Sequence, residues 1–275
     1  MLVALNKNEE RIHSFEATKE EKYYCPICNG EMILKSGEVN ITHFAHKNKE
    51  CKDNWNYDMS EWHINKQSYF DERFQEVIVE KNGVKHRADV LKDGIVIEFQ
   101  HSSISAEEFN ERNKFYISAG YKVVWVFDLT LQKNEEQLYW DDYSDVSNMM
   151  RWKYPLRILK GTLSPSRKND VIICITWDNE YLEDEDVYRI DWSSTGIDED
   201  DLGRTKEYPN YKKIIVSESF IMERNMDLKQ FFYSKDEIIR QELKKLRIGD
   251  GIKKKRSKRF YKKRLCLSYN RRIWY

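Results

Sequence analysis

No stretch of the chain approaches the roughly 20 consecutive apolar residues needed to cross a bilayer, so no membrane span is expected. The apolar run Met1 to Leu5 is too short for a signal-peptide core, and a cytoplasmic location is expected. Cysteine is sparse and odd in number, five in 275 residues, and three of the five fall between positions 25 and 51. A reducing compartment disfavours disulfides, so metal binding is the first reading of those three. No internal repeat is visible. With 40% hydrophobic and 34% charged residues the chain is more charged than an average globular domain, yet well short of the disordered regime.

Net charge is absent too, with 47 basic and 47 acidic residues, but the balance is uneven along the chain. From Lys244 to Tyr275 there are fourteen Lys or Arg against the single acid Asp250, leaving the tail at about +13 and the rest at about −13. Lys253, Lys254, Lys255, Arg256, Lys258, Arg259, Lys262, Lys263 and Arg264 are interleaved with aromatics and followed by Arg271-Arg-Ile-Trp-Tyr275. Cations displace counterions from phosphates and aromatic rings stack on unpaired bases, so this tail is expected to bind nucleic acid. The alternative is that it folds back on the acidic body.

The length suits two domains, or one with appendages. The organisation expected is a zinc-finger-like module at 1–56, a core at 57–150, a smaller α+β region at 151–247 and a basic tail at 248–275. In the first module Met32 to Lys35 and Glu38 to Thr42 flank Ser36-Gly37 as a hairpin. Around it, Cys25-x2-Cys28-x17-His46-x4-Cys51 supplies the four ligands of a closed tetrahedral zinc site. His46 lies beyond the hairpin near Cys51 and is the expected fourth ligand, with His43 as the alternative. A closed site makes the zinc structural, supplying stability that a segment of about 50 residues cannot obtain from burial alone.

The core begins with Asp58-Met-Ser-Glu61, a capping box predicting a helix to about Glu72. Glu76 to Glu80, Lys85 to Leu91 and Ile95 to Gln100 then read as a three-stranded meander, because Asn82-Gly83 and Asp93-Gly94 are strong type I′ turn signals. Ser105 with Glu108 opens a helix that closes at Gly120, and Lys122 to Leu129 is an apolar strand. The order is α, β, β, β, α, β. Further on, Val171 to Trp177, Val187 to Trp192 and Tyr211 to Val216 suit strands, Ser234 to Arg247 suits a helix, and the acidic clusters at 183–186 and 198–201 read as solvated loops.

Turn arithmetic locates a candidate site. A two-residue turn at Asp93-Gly94 pairs residues whose numbers sum to 187, setting Val90 against Ile97 and Asp89 against Glu98, with Arg87 facing Gln100. Alternation then puts Asp89, Glu98 and Gln100 on one face and Ala88, Val90, Ile97 and Phe99 on the other. Two carboxylates in such proximity need a proton or a cation between them, and a hard ion such as Mg²⁺ or Mn²⁺ takes oxygen ligands. That combination suits phosphodiester hydrolysis. Gln100 can orient a water but cannot act as a base. The same pair on an exposed sheet face also arises without function.

His86-Arg-Ala-Asp-Val90 and Ile97-Glu-Phe-Gln-His-Ser102 resemble the PD-(D/E)XK nuclease superfamily. The Glu-x-Gln ending, Glu61-Trp-His63, Arg112-Asn-Lys-Phe-Tyr116 and the preceding Cys25-to-Cys51 block narrow the resemblance to the competence protein CoiA family, over about residues 1–130. The resemblance implies an α+β nuclease domain acting on DNA, single- or double-stranded. Asp89 and Glu98 would be metal ligands with the Phe99 carbonyl as a third, and Gln100 would stand where the superfamily carries a lysine. It further implies that Glu61 is a ligand and His63 a phosphate or water contact, with the capping box and packing beside Trp62 as their structural alternatives. Arg87 would bind the scissile phosphate or neutralise Glu98. Expected partners beyond DNA are a second copy of the chain or recombination or defence proteins. The competing function class is a non-cutting DNA-binding module on the same fold.

Overall fold

The computed structural model describes residues 1–37, 41–48, 51, 55, 60–140, 149–153, 170–178, 186–191, 195–199, 205–209, 213–222, 224–228 and 232. The basic tail, Cys266, the helix expected at 234–247 and the Asp58 cap lie outside the described residues. Among the described residues no helix is long and apolar enough to cross a membrane.

The N-terminal sheet contains β1 (Val3–Leu5), β2 (Arg11–His13), β3 (Tyr23–Tyr24), β4 (Glu31–Lys35) and β5 (His43–His46), in the order β2-β1-β3-β4-β5. Its core is small: Met1, Ala4, Tyr23, Cys25, Met32 and Phe44. The hairpin register differs from expectation, since β4 pairs with His43–His46 rather than with residues 38–42, with Lys35 against His43 and Met32 against His46. The connection is therefore longer than a two-residue turn at Ser36-Gly37.

The chain continues through α1 (Glu61–Gln67), β6 (Gln75–Lys81), β7 (Val84–Lys92), β8 (Ile95–Gln100), α2 (Ala106–Ser118) and β9 (Lys122–Asp128). The helix α1 is shorter than the capping box predicted. Its N-cap is Ser60, whose hydroxyl accepts the His63 amide at 3.2 Å, so a nearer oxygen takes the role given to Asp58. For α2 the cap is as expected: Ser105 accepts the Glu108 amide at 3.1 Å, and Gly120 closes the helix at φ 94°. Both tight turns form, with φ of 53° and 77° at Asn82-Gly83 and 52° and 78° at Asp93-Gly94, the left-handed pair a type I′ turn requires.

The connection through α2 returns β9 parallel to β8, pairing Glu98 with Trp125 and Gln100 with Phe127. Phe109 and Tyr116 of α2 pack on Val96, Val123, Trp125 and Phe127 to form the main core. After α3 (Thr130–Asn134) come β10 (Leu138–Trp140), β11 (Met149–Trp152), β12 (Val171–Thr176), β13 (Asp186–Asp191), β14 (Thr195–Glu199), β15 (Thr205–Pro209) and β16 (Lys213–Ile221). Expected as part of a separate region, β12 instead runs parallel to β9, and β13, β16 and β11 extend the same sheet. One nine-stranded sheet results, ordered β10-β11-β16-β13-β12-β9-β8-β7-β6. Asp198 and Glu199, expected in a solvated loop, belong to β14, which pairs with β15.

Candidate metal and nuclease-like sites

The Cys/His cluster is assembled by the hairpin. Because Met32 faces His46, the β4–β5 ladder delivers His46 to the end of the module where Cys25 and Cys28 lie, and carries His43 to the opposite end beside Lys35. There His43 Nδ1 meets the Ile41 carbonyl at 2.7 Å. One ligand atom each from Cys25, Cys28, His46 and Cys51 lies within 4.8 Å of the others, and Cys28 Sγ is 3.5 Å from His46 Nε2. The Ile27 amide donates to Cys25 Sγ and the Gly30 amide to Cys28 Sγ, both at 3.4 Å. A Cβ at position 30 would lie 3.2 Å from Cys28 Sγ, so glycine lets that amide approach the sulfur. Three sulfurs and one imidazole, with amides directed at two of the sulfurs, are the donor set zinc prefers.

The acidic site lies where β7 parts from β8. The ladder follows the turn arithmetic through Lys92–Ile95, Leu91–Val96 and Val90–Ile97, and there it stops. At the next position the Asp89 carboxylate accepts the Phe99 amide at 2.9 Å, so a side chain fills the place of a strand carbonyl. Alternation along β7 breaks at the same point. Ala88 packs into the main core and Leu91 packs against it, three residues apart rather than two or four. On the neighbouring strand Glu76, between Gln75 paired with Val90 and Val77 paired with Ala88, has φ 45°, so its backbone leaves extended geometry opposite Asp89 while the β6–β7 register is unchanged. The simple two-face partition of Asp89 with Glu98 is thus corrected. Asp89 bridges the divergence of the strands, whereas Glu98 and Gln100 share the α2 side with Trp125 and Phe127.

Each acid has its own partners. On the α1 side His63 Nε2 is 3.1 Å from Asp89 Oδ1, and Gln67, one turn on, donates to the Asp89 carbonyl at 3.3 Å. On the α2 side Arg112 Nη1 donates to Glu98 Oε2 at 2.9 Å, while its Nη2 reaches Glu108 at 2.6 Å and the Trp55 carbonyl at 3.2 Å. All the central groups are buried: Asp89 is 3% exposed, Glu98 1%, His63 2% and Arg112 2%. Burial alone would raise the Asp89 carboxyl, but His63, the Phe99 amide and Arg87 together hold it below the usual carboxylate range. The Glu98 carboxyl moves the other way: burial first, and the Asp89 charge second, push it up to about 8 against the pull of Arg112. Among the described residues, Glu98 Oε1 and Gln100 Oε1 are buried without a hydrogen-bond partner. A buried, unpartnered carboxylate oxygen on Glu98, within reach of the Asp89 charge, is the kind of hard donor that could hold a divalent ion.

Gln100 donates through Nε2 to the Ser102 carbonyl at 2.8 Å. Glu61 opens α1 and is exposed, so the structure turns His63 rather than Glu61 onto Asp89. Arg87 is buried, its Nε 4.0 Å from Glu76 Oε1, and its carbonyl accepts the Tyr116 hydroxyl at 3.0 Å. Sequence reading missed Gln67, although the i, i+4 spacing from His63 was its signal. It also missed His101–Asp128, paired at 2.6 Å beside Lys66, whose amine burial pushes down to about 8 despite Asp128 and Asp178. The Arg112-to-Tyr116 run gains a physical account: Arg112 holds Glu98, Asn113 accepts Trp125 Nε1 at 2.9 Å, Phe115 packs edge-on to His86, and Tyr116 ties α2 to β7.

Comparison with known proteins gives an independent view. Residues 5–54 match the model of the N-terminal domain of competence protein CoiA, and residues 60–156 match that of its nuclease-like domain. Competence protein CoiA of Bacillus subtilis (strain 168) is 28% identical over 119 residues, 39% of this chain and 32% of that protein. The match thus spans about a third of that relative's length. No solved structure matches.

Proposed function

Because the chain belongs to the competence protein CoiA family and carries its nuclease-like domain, we propose that it is a Mg²⁺- or Mn²⁺-dependent DNA nuclease of the PD-(D/E)XK type with a structural zinc at Cys25, Cys28, His46 and Cys51. The observation that carries this reading is the buried Asp89–Glu98 pair at the point where β7 leaves β8, in which Glu98 Oε1 has no hydrogen-bond partner among the described residues. Asp89, Glu98 and the Phe99 carbonyl would hold the catalytic ion, whose chemistry there would be polarisation of a phosphoryl oxygen and acidification of a water.

The chain's own residues do the rest. His63 and Gln67 fix the orientation of Asp89, and its lowered pKa keeps it anionic at neutral pH. Arg112 fixes Glu98 and partly offsets the repulsion from Asp89. Gln100, held by Ser102, leaves Oε1 to accept a hydrogen bond from the attacking water, and Arg87 supplies positive charge for the phosphate. Glu61, in the first turn of α1, is an outer contact for water or phosphate. The tail from Lys253 to Arg264 adds salt-sensitive affinity for DNA.

The test is cleavage of linear and circular, single- and double-stranded DNA with each of several divalent ions. Asp89→Ala and Glu98→Ala should each lower the rate at least about a hundredfold, the scale on which metal and electrostatic contributions act. Cleavage that survives both changes rejects the enzyme. Salt-dependent binding with no product under any metal favours the non-cutting module.

A further inference from the structure

A cavity of about 690 Å³ lies between α1 and the N-terminal sheet, against the helix face next to the one that meets Asp89. The helix is a shared wall: His63 and Gln67 face the acid, while Ile64 and Ser68, one turn apart, line the cavity. His13 lines it from β2 and is only 7% exposed, yet among the described residues neither of its ring nitrogens makes a hydrogen bond of normal geometry, the Gln75 side chain being its polar neighbour. A buried imidazole left so costs free energy unless a ligand or water completes it. Burial holds His13 below the usual imidazole range, despite the acids Glu72 and Glu76 and a contact with Gln75, so the ring is neutral and offers one donor and one acceptor.

Around this polar pair the lining is aromatic and apolar. The Phe15 ring lies 4.2 Å from that of His13 and remains 61% exposed, although it is a large hydrophobic side chain. Phe70 and Ile64 line the cavity as well, and Arg73 and Arg224 bring cations to it alongside Asp71 and Glu72. A flat ring with a donor and an acceptor on its edge, carrying an anionic group, meets all of these features at once. The volume is in the range of small-molecule sites and too small to admit a duplex.

The geometry points to this cavity as a pocket for the base of a nucleotide, with the ring against Phe15 and Phe70, its edge on His13, and its phosphate towards Arg73 and Arg224. This rests on the nucleic-acid reading above and deepens it, because the pocket and Asp89 lie against neighbouring faces of the same helix, α1. An unpaired base held there would keep a neighbouring stretch of the same strand beside the acidic site. A free nucleotide presents the same chemistry.

The experiment is a binding measurement on the full chain in buffer without magnesium or manganese, so that cleavage plays no part. The probes are a fluorescein-labelled oligothymidylate of about 12 nucleotides, a blunt duplex of the same length and thymidine 5′-monophosphate. Phe15→Ala and His13→Phe should each weaken oligothymidylate binding by about 5- to 100-fold, the loss of one stacked base, while duplex affinity changes less than about twofold. Loss confined to the monophosphate supports the pocket with a free nucleotide as its source. Unchanged affinity for every probe in variants that melt like the wild type overturns the proposal, as does an equal loss on duplex and single strand. Should His13→Phe fail to fold, the exposed Phe15→Ala decides, together with photocrosslinking of a 4-thiothymidine oligonucleotide. Adducts outside the peptides bearing His13, Phe15 and Phe70 would count against it. A protein that binds in this way but cuts nothing would retain the pocket and lose the nuclease.

Discussion

At the scale of the residue, Glu76 shows how much one buried carboxylate can hold. Its Oε2 accepts the Leu2 and Val3 amides at 2.9 Å each, and Arg87 lies 4.0 Å from Oε1. Burial would raise its pKa, but Arg87, the N-terminal ammonium and those two amides together lower it. A carboxyl lowered on folding stabilises the protein above its unfolded pKa, about 4.5, and that contribution is lost as pH falls through the folded value. Glu76→Gln should therefore cost about 1–3 kcal/mol at pH 7 in urea unfolding, with the gap to wild type narrowing below about pH 4. A difference that stays constant down to pH 3 would contradict it. Nothing in the sequence marked Glu76, because the amides that it accepts are 73 and 74 positions away. Asp89 and Glu98 were recognisable as residue types at a given spacing. Their separate partners, His63 and Arg112, depend on helix packing that no local pattern encodes.

At the scale of the element, the turns were the most legible feature, since a type I′ turn requires a backbone conformation few residues favour. Gly94 has φ 78°, and a Cβ there would meet nothing within 4 Å among the described residues, so the penalty for a side chain is conformational. Gly94→Ala should cost about 1 kcal/mol, read as a lower urea midpoint with an unchanged m-value. Where turn chemistry was weak the reading failed, as in the Ser36-Gly37 hairpin. Local alternation also could not foresee the interruption of β7, because it depends on a side chain, Asp89, competing for a strand amide. Tyr116→Phe tests the tie between α2 and β7. Loss of its bond to the Arg87 carbonyl should cost about 1 kcal/mol, and faster exchange of the β7 amides would locate the effect there.

At the scale of the molecule, the strands beyond Trp152 were visible one by one, but their membership of the main sheet was not. Val-Ile-Ile-Cys-Ile is an apolar run suited to any buried strand, and its pairing with β9 is a contact across more than forty residues of sequence. The Cys/His cluster was the reverse case, since Cys25, Cys28, His46 and Cys51, singled out by their spacing, come together in the fold within 4.8 Å of one another. The purified protein is expected to carry about one zinc per chain by atomic absorption, and Cys25→Ser or Cys51→Ser should lower both the zinc content and the melting temperature. Full zinc occupancy in either variant would argue against the assigned ligands.

The bond from the Phe99 amide to Asp89 makes the most obvious knockout a poor instrument. Truncation to alanine deletes a charge and also unfastens a strand, so an inert protein could reflect lost chemistry or a slackened scaffold. Asp89→Asn retains an oxygen able to accept that N–H while removing the negative charge. The asparagine and alanine forms, taken together, should separate the acid as reagent from the acid as rivet.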